Sequence, residues 1–361
     1  MNDRSPSFWQ AAWRRLKKNK AAIAGLILIL MAVLIALLGY FIAPDPSPFA
    51  NRIILEIGGQ KPGFTQSFLL VKKEQQSGTS LLDRAVSGKQ DLYDYIPITS
   101  WQKQDNNIIA EKYVDEGVSE KIQYSLAALA SDPVTEKKFW IGTDKYGRDI
   151  LSRLIIGTRV SLGVGLITVF ISLTVGIILG SAAGYFRGRT DDLIMWLINV
   201  IWSIPTLLLV FAITLLLGKG FWQVFIAVGL TMWVNVARLV RGQVLSAREL
   251  QYVEAAKALG FSHMRIIARH ILPNILGPIL VIAASNFASA IVIEAGLSFL
   301  GVGVQPPQPS WGLMIKENYN FIITQNPMLA LAPGFAIMLL VLAFNLFGNG
   351  LRDALNVRGK L

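Results

Sequence analysis

The chain has 361 residues, 53% of them hydrophobic, a mean hydropathy of +0.49, a formal charge of +11 and no cysteine. That is too apolar for an ordinary water-soluble globule, and the missing cysteine excludes disulfides and thiolate metal sites. Six uncharged runs account for it: Ala21–Ala43, Val160–Phe186, Leu193–Gly218, Gly220–Ala237, Ile271–Ile293 and Asn318–Leu351, the last reading as a span from about Leu329 onward. Each reaches the roughly 18–20 residues that cross about 30 Å of hydrocarbon, so the spacing predicts an all-α polytopic membrane protein with six transmembrane helices.

Residues 1–20 hold Trp9, Trp13, Arg14, Arg15, Lys17, Lys18 and Lys20, either an amphipathic interfacial helix or simple topogenic charge. The run 21–43 is longer than the h-region of a signal peptide and Pro44-Asp45-Pro46 follows it directly, so it is expected to remain as the first span. The N-terminus, the loops 187–192 and 238–270 and the tail 352–361 together hold 17 Lys and Arg against 6 Asp and Glu, and the rest of the chain is neutral. All the excess charge thus falls on one side of the bilayer, which the positive-inside bias makes the cytoplasm for both termini. Because these cations flank spans in four separate places, a nucleic-acid surface is excluded.

From 44 to 159 the chain is expected to leave the membrane as an extracytoplasmic α+β insertion ending in an interfacial helix. Arg52–Ile57 and Phe68–Lys73 read as strands, and Val118, Ile122, Leu126 and Leu129 as one face of a helix over 118–130 stopped at Asp132-Pro133. The stretch Glu74–Thr79 reads as a mobile loop. In Gly142-Thr143-Asp144-Lys145-Tyr146-Gly147-Arg148-Asp149, Thr143 or Asp144 is placed to cap a helix whose apolar stripe is Ile150, Leu151, Leu154 and Ile155. The segment is a near miss to a P-loop, but it lacks the Lys-Ser/Thr pair that holds phosphate and magnesium.

The core, 160–351, supplies spans two to six. Ser172, Gly176, Gly180 and Gly184 recur every four residues, a smooth stripe for close helix contact, either within the chain or with a second membrane subunit. Pro205, mid-way along the third span, marks a pore-lining kink or a structural bend. Glu294, some 20 residues along the fifth span, is an acid near the outer edge, where water contact is expected.

Between the fourth and fifth spans lies a polar loop, 241–273. Tyr252, Ala255, Ala256 and Leu259 fall on one helical face, with Glu254 and Lys257 as an i,i+3 pair on the other side. Gly260 ends that helix. Ser262 caps a second one, which turns Met264, Ile267 and Ile271 inward and Arg265 and Arg269 outward. Two short helices with a glycine elbow suit a partner's groove. His263 and His270 belong to this loop and read as solvated or packing histidines.

Glu254-Ala255-Ala256, Gly260 four residues later and Leu272-Pro273 twelve after that resemble the EAA signature of permease subunits in ATP-binding-cassette (ABC) importers, with His270 where the consensus has Ile. The 142–149 segment closely resembles the GTD-x-x-GRD stretch of the C-type permeases of oligopeptide and dipeptide importers. Glu294-Ala295-Gly296-Leu297-Ser298-Phe299-Leu300-Gly301-Val302-Gly303 and the closing Asn345, Gly348-Asn349-Gly350, Arg352 and Asp353 are similar to the same family. The resemblance covers 8–43 loosely and 140–358 closely, but not 44–138.

It implies a type I importer fold in a bacterial inner membrane, with a second related permease, two ATPase subunits and an external solute-binding protein. It also implies that Glu254, Ala255, Ala256, Gly260, Leu272 and Pro273 couple to the ATPase, and that Asp144, Gly147, Arg148 and Asp149 stand at the external mouth. Pro205 and Glu294 remain candidates for the translocation path. Independently of the family, the chain has no G-x-x-x-x-G-K-[ST] motif and no ionisable residue at mid-membrane, so energy is expected to arrive through a partner. No cofactor is expected in this chain, ATP and Mg²⁺ being held by the ATPase, and no enzyme activity. A nickel, metal-chelate or antibiotic-peptide importer on the same architecture stays open as to cargo.

Overall fold

The structure, a computed structural model, describes residues 8–73, 80–115, 117–218, 220–323 and 326–355. The loop expected at Glu74–Thr79 and the end of the tail lie outside the described residues. Two compact units divide the chain, one of residues 1–32, 161–305 and 337–361 and the other of 33–160 and 306–336.

Among the described residues, five single helices are long and apolar enough to cross a bilayer: α2 (Lys20–Ile42), α4 (Ile150–Phe186), α7 (Phe221–Arg248), the helical run from His263 to Phe299, and α12 (Met328–Leu355). The third expected span is a broken one. α5 (Gly188–Trp202) and α6 (Thr206–Leu217) meet at 92° across Ser203–Pro205, because proline removes a backbone donor and clashes with the preceding turn.

In the first unit, the helices meet where side chains are smallest. A Cβ on Gly176, Gly180 or Gly184 of α4 would lie 2.5–2.7 Å from Val236 or from the carbonyls of Ala237 and Arg241. Val236, Val240 and Val244 of α7 are the buried knobs that fill this groove, so the stripe serves packing within the chain. Ser172, at its start, accepts from the buried Asn286 amide at 3.4 Å. α10 (Leu276–Phe299) lays Phe287 on Gly165 and stacks it on Phe344 of α12 at 4.0 Å. Ahead of the first span, α1 (Phe8–Lys18) buries Ala12 and Leu16, the latter against Ala22 and Ala354, and leaves Trp13 half exposed with Lys17 over its ring.

The second unit is built on an antiparallel sheet of order β4-β3-β2-β1-β5, comprising β1 (Phe64–Lys72), β2 (Tyr93–Gln104), β3 (Asn107–Asp115), β4 (Val118–Ser125) and β5 (Leu129–Phe139). In β1 the adjacent residues Phe68 and Leu69 are both fully buried, since successive side chains face opposite sides of a sheet. Leu69 joins Ile98, Ile108 and Leu129 on one face, and Phe68 joins Ile54, Ile57 and Phe139 on the other. A short helix α3 (Leu81–Ser87) lies between β1 and β2.

Several expectations are overturned here. The segment 118–130 is not one helix: Val118–Ser125 is strand β4, Leu126–Ala128 is a single 3-10 turn and Leu129 begins β5. Ile122, Tyr124 and Leu126 alternate as sheet-facing side chains, and Gly117 at φ +78° turns the chain back from β3. This period of two outcompetes the helical spacing of Val118, Ile122 and Leu126. Pro133 does not stop a helix but sits in β5, an edge strand where a missing donor is tolerated.

Arg52–Ile57 is no strand either. The Ile54 amide donates to Tyr146 O at 3.0 Å and that of Gly59 to Asp144 O at 2.9 Å, so this loop is pinned to the 142–149 segment. Nor is there a separate interfacial helix: Ile150–Ile155 are the first turns of α4, and neither Thr143 nor Asp144 caps it. Asp149 does, accepting from the Ser152 amide at 2.8 Å.

Because α4 and α7 touch backbone to backbone, Gly180→Ala is expected to destabilise the chain by about 1–3 kcal/mol, whereas Gly163→Ala, with open space around it, should leave stability unchanged or raise it. Thermal unfolding of the detergent-solubilised protein separates the two, and equal midpoints would contradict the packing.

Candidate functional site

The polar loop after α7 folds as α8 (Gln251–Ala258), a turn at Gly260, and α9 (His263–Ile266), which runs through a π turn at Ile267–Ile271 and a tight turn at Leu272–Ile275 into α10. Gly260 has φ +74°, a left-handed conformation that costs little only without a Cβ. Its amide donates to Lys257 O at 2.9 Å and that of Phe261 to Ala256 O at 3.2 Å. These two bonds are the paired closure of a Schellman motif. Ser262 stands at the start of α9 in extended conformation, but its side chain makes no cap bond.

The faces of the elbow differ from those the sequence suggests. Val253 and Ala256 are the buried residues of α8, and they pack with Ile266, Ile267, Ile271 and Ile275 against Val240 and Val244 of α7. Tyr252, Ala255 and Leu259 point away, Leu259 with 72% of its surface exposed. Met264, expected inside, is also 72% exposed, and Leu250 is half exposed. Glu254 stands exposed in the first turn of α8, Pro273 is exposed, and Leu272 packs at the edge of the core. Lys257 lies over the Tyr185 ring rather than against Glu254.

Both histidines are packing residues. His263 Nδ1 is 3.0 Å from the Tyr185 hydroxyl, and His270 stacks on Phe261.

Pro205 is exposed at the α5–α6 break. Beside it lies a cavity of about 190 Å³ with Trp202, Thr206, Thr231, Asn235 and Ser289 in its wall and no ionisable side chain. Glu294 is not at the cavity and not in water. It is 0% exposed and accepts from the Ser298 hydroxyl at 2.6 Å, which in turn accepts from the Val304 amide at 3.0 Å. It therefore fastens the loop after α10.

Asp144, Gly147, Arg148 and Asp149 come together in the second unit, but as buried framework. Asp144 accepts from the amides of Tyr146 and Arg148 and from Arg148 Nε at 2.6 Å. Arg148 reaches on to Glu317 at 2.7 Å, and Arg153 approaches the same carboxylate at 3.4 Å. Glu317 belongs to α11 (Trp311–Asn318), whose Trp311 donates to Leu154 O at 3.1 Å. The sequence reading missed Glu317, although it is the only acid between Glu294 and Asp353. Gly147 has φ +74°, and a Cβ there would fall 1.7 Å from Ile54 O.

Next to this framework Arg52 pairs with Asp91 (Nε to Oδ2, 2.7 Å) and Asp45 (3.2 Å). Burial works against its charge, but the Asp91 hydrogen bond and the two carboxylates outweigh that and hold its pKa above the ordinary value. Burial, aided by Arg52, pushes Lys137 down from 10.5 to about 8, and burial pushes Asp149 up.

Two outcomes follow from these charges. Arg148→Met leaves Asp144 and Glu317 without their best partner in a dry site, which costs about 3–5 kcal/mol, read as a lowered unfolding midpoint. For Lys137 the folded pKa lies below the unfolded one, so between about 8 and 10.5 the unfolded chain binds more protons and stability rises with pH. Lys137→Met should therefore raise the midpoint at pH 7, and its advantage should shrink as pH climbs through that window.

A family model described as "Binding-protein-dependent transport system inner membrane component" matches residues 176–359. Another, described as "N-terminal TM domain of oligopeptide transport permease C", matches residues 7–56. The dipeptide transport system permease protein of Bacillus subtilis is 31% identical over 352 residues, 98% of this chain and 86% of its own. The glutathione transport system permease protein of Pectobacterium atrosepticum is 42% identical over 221 residues, 61% of this chain and 73% of its own. The oligopeptide transport system permease protein of Bacillus subtilis is 40% identical over 228 residues, 63% of this chain and 74% of its own. With its broken third span, its glycine elbow and these matches, the chain belongs to the family of binding-protein-dependent transport system inner membrane components, as an oligopeptide permease C-type subunit of an ABC importer.

Proposed function

We propose that this chain forms half of the translocation path of a small-peptide importer and receives its driving force through the elbow at 249–273. The observation that carries the reading is the elbow's two-sidedness. Its inner face is welded to α7 and α10, while Leu250, Leu259 and Met264 present apolar surface in an otherwise charged loop. Exposed apolar groups rimmed by polar ones mark a protein contact, and a partner that moves this knob must move the spans bonded to it.

In this reading the cation-rich loops and both termini face the cytoplasm. Two ATPase subunits grip the elbow of this chain and that of a second, related permease. Glu254, in the first turn of α8, interacts with the positive end of that helix. ATP-driven closure brings the elbows together and opens the path outward, and hydrolysis resets it. A solute-binding protein delivers cargo from outside. Asp144, Gly147, Arg148 and Asp149 are too buried to touch it, so they shape the docking surface by fixing the loops above them. The uncharged, hydroxyl- and amide-bearing cavity beside Pro205 supports passage of a peptide backbone without a fixed counter-charge. The relatives named for dipeptides, oligopeptides and glutathione share a peptide cargo.

Replacing Leu259 and Met264 together by serine removes two side chains, each contributing about 1.5–3 kcal/mol when buried. Capture of the ATPase by the purified permease should fall by at least about tenfold while the unfolding midpoint stays put; undiminished capture sinks the reading. Gly260→Pro cannot adopt φ +74°. That variant should insert in the membrane yet hydrolyse ATP in the assembled importer without uptake, and fully coupled transport would refute the elbow's role.

A further inference from the structure

The second unit contains a cavity of about 150 Å³ that the transport reading does not use, walled by Phe68, Tyr95, Phe139 and Ile54 and bordered by Lys137 and Asp149. Of the charged groups that line it, Asp149 and Lys137 are incompletely satisfied. Asp149 is 5% exposed; its Oδ2 accepts from Ser152, but among the described residues no donor reaches its Oδ1. The Lys137 ammonium lies 4.2 Å over the Tyr95 ring, with no carboxylate at ion-pair distance among the described residues. Arg52, on the same ring at 3.9 Å, is already committed to Asp45 and Asp91. Burial raises the cost of both charges, and their attraction to each other and to neighbouring groups offsets it only in part.

A molecule that offers an ammonium donor to a buried carboxylate oxygen and a carboxylate to a buried ammonium would satisfy both at once, through charge-assisted hydrogen bonds. Apart from the Arg52–Asp45 pair and Lys138, the rest of the wall is mainly aromatic and aliphatic, and a cavity of this volume accommodates a group about the size of benzene. A few placed polar groups in an apolar pocket are the usual make-up of a small-molecule site.

We infer that this cavity is a binding site for an α-amino zwitterion with an apolar side chain, held by Asp149 at its ammonium and Lys137 at its carboxylate. That chemistry belongs to a free amino acid, since the terminal ammonium and carboxylate of a peptide sit on different residues. The site lies wholly in the sheet-bearing unit and is independent of the coupling mechanism, so it can be tested on the permease alone.

The experiment is calorimetric titration of the full-length chain in detergent with L-leucine, leucyl-leucine, N-acetyl-leucine and leucinamide. Saturable leucine binding is expected, weakened at least about tenfold when either the ammonium or the carboxylate is masked. Leucyl-leucine, whose ammonium and carboxylate sit on different residues, should also bind at least about tenfold more weakly than leucine, and equal affinity overturns the assignment to an α-amino zwitterion. Lys137→Met should weaken binding by a similar factor without lowering the unfolding midpoint. Asp149→Asn should do so too, although it also loosens the start of α4, which makes the lysine variant the decisive one. No saturable binding at millimolar leucine, or an affinity unchanged in Lys137→Met, overturns the assignment.

Discussion

Inside hydrocarbon a peptide group has no water to turn to, so each N–H and C=O must find its partner within the protein. This constraint governs the membrane part of the chain. It makes long helices the default and requires a device wherever one is interrupted. At the α5–α6 break the Ser203 hydroxyl donates to the carbonyl of Val200 at 2.7 Å, and the Ser203 amide to that of Asn199 at 3.0 Å. At Pro273, which has no amide proton, the preceding π turn and following tight turn carry the chain on as helix. After α10, the bonds from the Gly301 and Val302 amides to Ser298 O and Leu297 O close the helix just as Lys257 and Ala256 close α8 at Gly260. These interruptions are thus tolerated because each is locally satisfied.

The same accounting explains why a sheet-bearing unit contains so many buried ions. Asp144, Arg148, Arg153 and Glu317 gather residues from the loop before α4, from α4 itself and from α11. A cluster of this kind adds little net stability over an apolar equivalent, but it allows one arrangement of those loops and penalises others. A surface that must be recognised from outside benefits from such definition. Asp144, Gly147, Arg148 and Asp149, expected at an external mouth, are buried within this frame.

Much of the membrane part was legible because absence of charge over 20 residues is a one-dimensional signal. The break at Pro205 and the elbow at Gly260 were legible for a related reason: each residue has a backbone restriction that few alternatives satisfy. The faces of the elbow were not. An eight-residue helix gives barely two turns of periodicity, and apolar residues meant for a partner look the same as those meant for the core. Met264, expected inside, accordingly lies outside, and of the face Tyr252, Ala255, Ala256 and Leu259 only Ala256 is buried. The sheet was misread at 118–130 because two periods coexist there, and only the pairing of β4 with β3, which is not local information, selects between them. Glu317 and the Arg52–Asp91 pair were hidden because their partners are distant in sequence, 169 residues away for Arg148 and Glu317.

The π turn at Ile267–Ile271 has a mechanical corollary. A π turn holds one residue more than an α turn, and one residue is about 100° of helical rotation. If those five residues tightened into ordinary helix, α10 would have to spin about its long axis by that amount or slide to take up the slack. Under the proposed coupling, a movement of the elbow would reach α10 as rotation as well as tilt, presenting a different stripe of α10 to its neighbours. Spin-label distances from α10 to α7, taken with and without nucleotide on the assembled importer, would tell twisting from rocking.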